Sequence, residues 1–185
     1  MDRKLLASAV GKIAWAYLLL HLDVKVMGLD LLPSWGAWLL ILSALRPLAE
    51  VVPSAALLRP LGIALAAWSA VCWLPLGLSE GGWLVQLVGL VMQILALYCH
   101  FQLLTDLAVL AGRIGAPDRR LRVLRTVYTV LLTLFALPLG WAEWPLEQVL
   151  PLALVNVVVA IWIFVVLCGL RAELLRGAAQ TDPDL

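Results

Sequence analysis

The sequence predicts an all-α integral membrane bundle of six transmembrane helices, paired into three hairpins. Three observations predict it. Hydrophobic residues make up 64% of the 185, charged residues only 14%, and mean hydropathy is +1.01; a soluble domain holds roughly 45–50% apolar and about 25% charged residues. No water-soluble interior can hide that excess, so lipid must solvate part of it. The apolar residues fall into six runs parted by proline, glycine or charge, and the basic residues are sorted by those runs.

The spans read as about 5–22, 31–45, 61–77, 83–110, 123–139 and 149–170, one transmembrane domain over 1–170 with a polar tail at 171–185. The opening MDRKLL resembles a signal-peptide start, but Lys12 interrupts the apolar region and apolar segments continue, so it reads as a retained first span. Asp23–Asp30 carries three charges and belongs at a surface. Asp30 can cap the second span, with Pro33 tolerated in the first turn where N–H groups lack partners. That span stops at Arg46-Pro47 and is short for a bilayer, which needs about 17–25 residues. Residues 46–60, bounded by prolines, read as an interfacial loop or short surface helix. Ser79-Glu80-Gly81-Gly82 is a turn. The fourth span, opening at Trp83, is long enough for its last turns to reach water beyond a hydrocarbon core of about 30 Å. Gly112, Gly115 and Pro117 end it, Asp118 can start the next helix, and four of the five arginines of 112–125 lie on that helix as it feeds the fifth span. The last residues read as disordered.

Charge orients these spans. Six crossings place the N-terminus, 46–60, 112–125 and the tail on one side, with 12 of the 13 Lys and Arg; only Lys25 is on the other. Basic residues near span ends stay cytoplasmic, so both termini are expected inside, at a cell membrane. Six of nine tryptophans, at 35, 38, 73, 83, 141 and 144, fall near the outer ends, as an aromatic belt would. A net charge of +1 offers no basic field for nucleic acid.

Leu74-Pro75-Leu76-Gly77 and Glu80 recur 63 residues later as Leu137-Pro138-Leu139-Gly140 and Glu143. At that offset Arg59 meets Arg122, Gln93 meets Asn156 and Phe101 meets Phe164. This predicts a parallel repeat of the second and third hairpins, with convergent turn chemistry as the alternative.

The run His21–Leu42, with Asp30, Leu31, Leu32, Pro33 and Gly36 at its centre, and the arginine-rich exit of the fourth span resemble small multi-pass membrane proteins of Gram-positive anaerobic bacteria. The resemblance covers about a third of the chain. It implies a topology in a bacterial inner membrane and no activity.

The candidate chemistry is sparse. Gln86, Gln93 and His100, seven apart, share a face of the fourth span. They are either helix cement, with Gly89 and Ala96 admitting a neighbour, or a polar track in which His100 titrates and Asn156 partners Gln93. Asp106 is either solvated at the cytoplasmic interface or paired with Lys12, whose own alternative is to snorkel. Arg113, Arg119, Arg120, Arg122 and Arg125 obey the positive-inside rule and are candidate contacts for anionic lipid headgroups. His21, Asp23 and Asp30 are a thin case for an outer cation site. A bis-histidine haem is excluded on depth, His21 lying at an outer end and His100 about 25 Å along its helix. Cys72, Cys99 and Cys168 sit in apolar runs without a CxxC, and no nucleotide, zinc-protease or hydrolase motif is present. No cofactor or enzymatic activity is therefore expected. The reading is a non-enzymatic scaffold or accessory subunit, partnered by lipid, by its own copies or by another membrane protein; the alternative is a small transporter or channel.

Overall fold

The computed structural model describes residues 2–21, 25–26, 29–30, 34–74, 82–137 and 145–181. These residues form six α-helices: α1 (Arg3–His21), α2 (Ser34–Val51), α3 (Leu58–Trp73), α4 (Trp83–Arg113), α5 (Arg119–Ala136) and α6 (Leu146–Thr181). A two-residue antiparallel ladder, β1 (Lys25–Val26) with β2 (Leu29–Asp30), lies between α1 and α2. A 3-10 turn, Pro53–Leu57, joins α2 to α3. Three helical stretches are long and apolar enough to cross a membrane: Pro53–Trp73, Trp83–Arg113 and Leu150–Gln180. α1, α2 and α5 are shorter or more charged.

Helix α1 sits inside the bundle, against α2 on one side and α6 on the other. Asp2 starts it by accepting the Lys4 and Leu5 backbone N–H bonds at 3.0 and 3.1 Å, which satisfies two of its orphan donors. The small residues Ala7, Ala9, Ala14 and Ala16 are all buried and let neighbouring backbones approach closely, as helices in lipid require. α6 runs antiparallel to α1. Arg171 crosses Gly11, and Phe164 meets Trp15 edge-on with centroids 5.3 Å apart. α2 and α3 are likewise antiparallel, with Trp35 on Trp73 and Leu42 over Gly62, where an added Cβ would stand 2.8 Å from Leu42 Cδ2. α4 and α5 pair through His100 with Tyr128 and Thr105 with Arg125.

Two expected boundaries move. α2 does not stop at Arg46-Pro47 but continues to Val51 with Pro47 inside it. Proline in a helix interior costs about 3 kcal/mol. Here the turns around it are held by burial of Ala44, Leu45 and Leu48, none more than 1% exposed. Residues 46–60 are then helix and 3-10 turn rather than loop, with Val52, Ala55 and Leu58 turned into the core and Pro53, Leu57 and Arg59 exposed. At the other end α6 continues past Leu170 to Thr181; the last residues of the tail, which read as disordered, lie outside the described residues. The helix ends also keep the offset of the sequence repeat. Ala136 closes α5 63 residues after Trp73 closes α3, and Leu146 opens α6 63 residues after Trp83 opens α4. Leu74 and Leu137, each before a proline, are both extended, at φ −73, ψ 141 and φ −68, ψ 137. The LPLGxxE turns themselves, with Trp141 and Trp144, lie outside the described residues.

The two ends of the bundle differ. Leu103, Leu104, Leu107 and Leu110, in the second half of α4, are wholly buried, whereas Trp83 is 71%, Leu84 58% and Ile94 57% exposed. The first half of α6 is open in the same way, Leu154 being 64% exposed. α1 ends beside His100, so α4 extends about 25 Å past it toward Trp83.

α4 closes with a Schellman motif. Ala116 N–H bonds to Ala111 O at 2.9 Å and Gly115 N–H to Gly112 O at 3.2 Å, with Gly115 at φ 76. No side chain crowds Gly115 or Gly112, so their substitutions separate backbone strain from packing. Gly115→Ala should destabilise by about 1 kcal/mol and Gly112→Ala should be neutral or stabilising, read as thermal unfolding in detergent.

Candidate functional site

Four helices bring their polar aromatic residues to one place. Tyr17 and His21 are one turn apart on α1, Trp38 comes from α2, His100 from α4 and Tyr128 from α5. Tyr17, Trp38, His100 and Tyr128 are all buried. His100 lies 5.2 Å from Trp38, 5.3 Å from Tyr17 and 5.4 Å from Tyr128, centroid to centroid. Such ring pairs add about 0.5–1.5 kcal/mol each beyond area burial. Tyr17 Oη and His100 Nδ1 are hydrogen-bonded at 3.2 Å. His21 Nδ1 is 2.6 Å from Tyr17 O; a carbonyl only accepts, so His21 donates there through Nδ1–H.

This overturns the depth argument that separated the two histidines. Tyr128 lies 5.4 Å from His21 and 5.4 Å from His100. The outer ends of α1 and α4 are not level, because α1 stops where α4 is only half-way through. No third His, Cys, Asp or Glu completes a metal-binding group among the described residues. Asp23, of the outer cation site considered above, lies outside them.

The polar stripe of α4 divides. Gln86 and Gln93 are exposed and His100 is buried, so the three do not line one cavity within the chain. Seven-residue spacing keeps them on nearly one face; beside it, in the half of α4 toward Trp83, Trp68 of α3 comes within 4.0 Å of where a Cβ on Gly89 would stand. Asn156 is half-buried, and no hydrogen bond joins it to Gln93 among the described residues.

Asp106 is neither solvated nor paired with Lys12. It is 1% exposed. Its Oδ1 accepts Ser54 Oγ–H at 2.6 Å and Gln102 Nε2–H at 2.9 Å. One turn of α4 thus clamps the 3-10 turn. Two turns on, Arg113 donates to Val51 O, one of the carbonyls the end of α2 leaves without a helical partner. Lys12 is exposed on α1, in a cleft with Arg171.

The five arginines are also partly committed inside the protein. Besides Arg113, Arg122 donates to Asp118 Oδ2 at 2.8 Å. Arg125 reaches Thr105 Oγ1 at 3.2 Å and lies 4.7 Å over the Phe101 ring. Arg119 and Arg120 are exposed, and Arg120 borders a cleft of about 320 Å³ with Trp162 and Glu173. Sequence reasoning missed Tyr17, Trp38, Ser54 and Tyr128. Only the Tyr17–His21 spacing carried a signal; the other meetings depend on tertiary packing.

No protein-family profile, no curated protein and no solved structure matches the chain.

Removing the Asp106 carboxylate leaves two donors unmet. Asp106→Ala should destabilise by about 1–3 kcal/mol, and Lys12→Ala should not. Lys12→Asp with Asp106→Lys should be no more stable than Asp106→Lys alone, by thermal unfolding in detergent. Rescue in the double variant would restore the ion pair.

Proposed function

We propose that this chain is a multi-pass membrane protein with six membrane-embedded helices and both termini cytoplasmic, acting as a non-enzymatic scaffold or accessory subunit. One observation carries the reading: the polar groups inside the bundle are spent on holding its helices together, while the first halves of α4 and α6 leave Leu84, Leu90, Ile94, Leu154 and Val158 exposed among the described residues. A helix face of that kind is solvated by lipid or by another helix. The hydropathy of α3, α4 and α6 supports insertion directly. α1 is less apolar, but its neighbours are protein on most sides, so a measure of lipid solubility undervalues it. The shared offset of helix ends supports a parallel duplication of the α3–α4 and α5–α6 hairpins.

Two experiments test this. Compartment reporters fused at residues 80 and 115 should report opposite sides of the membrane; the same side for both would overturn the topology. Cross-linking in native membrane followed by purification should recover a stoichiometric partner chain or a second copy, bound through the outer half of α4. A chain that instead carries solute flux in liposomes, lost in His100→Ala, would replace the scaffold with a transporter.

A further inference from the structure

The exposed stripe of α1 carries charge that nothing in the bundle uses. Lys4, Ser8 and Lys12 follow one another at four-residue spacing, so they stand on one face of the helix. From α6, Arg171 lays its side chain across Gly11, where an added Cβ would stand 3.3 Å from Cδ and 3.4 Å from Nε. The missing side chain at Gly11 therefore lets the Arg171 side chain lie close against α1. Together these groups line a cleft of about 400 Å³. Among the described residues no carboxylate is within ion-pair distance of Lys4, Lys12 or Arg171; Glu173, the nearest acid along α6, pairs with Arg176 at 2.8 Å. Three like charges converging on one cleft repel each other unless an anion joins them. Leu40, Leu175 and Trp15 complete the walls, and Trp15 is fixed against Phe164.

We propose that this cleft binds a phosphate group, supplied by the headgroup of an anionic phospholipid. Arg171 offers a planar fork suited to two phosphate oxygens, the lysines add point charges, and the Ser8 hydroxyl adds a donor. The apolar walls suit a glycerol backbone and the start of an acyl chain, which selects a lipid over a free anion. The depth fits as well. Tyr17 is level with His100, so Lys12 is level with the turn holding Thr105 and Asp106, the polar end of α4. The proposal rests on the membrane reading above, and fractionation tests that reading separately: a chain that stays in the soluble fraction sinks the membrane assignment whatever it binds.

The test uses the detergent-solubilised full chain, titrated with short-chain phosphatidylglycerol, short-chain phosphatidylcholine and inorganic phosphate, with bound lipid counted by native mass spectrometry. Phosphatidylglycerol should bind saturably at one per chain, with phosphatidylcholine and phosphate much weaker. Lys12→Gln and Arg171→Gln should each weaken it about fivefold, and the double variant about the product of the two. Arg59→Gln, an exposed arginine elsewhere, should leave it unchanged. Equal binding to the wild type and the double variant would overturn the site. Inorganic phosphate binding as tightly as phosphatidylglycerol would overturn the lipid as its source. Thermal unfolding of each variant without lipid should match the wild type.

Discussion

A polar group removed from water must find its partner inside the protein, and in lipid there is no other source. α4 meets this demand in only one of its halves. From His100 to Arg113 its polar side chains reach α1, the turn after α2, and the end of α2 itself. From Trp83 to Tyr98 it is apolar apart from two exposed glutamines. The bundle is tight where α4 is polar and open where it is not. Packing follows the polar groups because each is satisfied only if a particular neighbour stands at a particular height.

Asp106 illustrates how such a constraint builds structure. A carboxylate at the start of the basic layer reads naturally as an interfacial or ion-paired charge. Instead it accepts from Ser54 and Gln102 at 2.6 and 2.9 Å, and a segment that reads as an interfacial loop is pulled into the core around it. Arg113 then meets the carbonyl end of α2, where the helix dipole also favours a cation. These contacts, with the burial of Leu48 and Val52, explain why α2 can run through Pro47 to this point.

The helices were legible in the sequence because hydropathy and helix-stopping residues are local. The six runs, the break at Gly112–Pro117 and the start at Trp83 needed no knowledge of neighbours. What was not legible was height. Nothing local says that α1 ends where α4 is half-way, so His21 and His100 looked far apart although both touch Tyr128. Nor does composition tell a cation bonded within the chain, such as Arg113, from one left over, such as Arg171. That distinction depends on which helix packs beside which.

The offset of 63 residues sharpens the status of His100. At that offset it meets Ile163, and both are buried, at 6% and 0% exposed. The position is an inward-facing one in both hairpins, and an apolar residue suffices in the second. What differs is the neighbour. Tyr17 of α1 brings its hydroxyl to His100 at 3.2 Å, whereas the residue after Ile163, Phe164, meets the ring of Trp15. The histidine is therefore matched to the hydroxyl that α1 delivers. α1 packs between α2 and α6; it meets α6 through apolar contacts along its length and reaches α4 only near its end, where the Tyr17 hydroxyl stands.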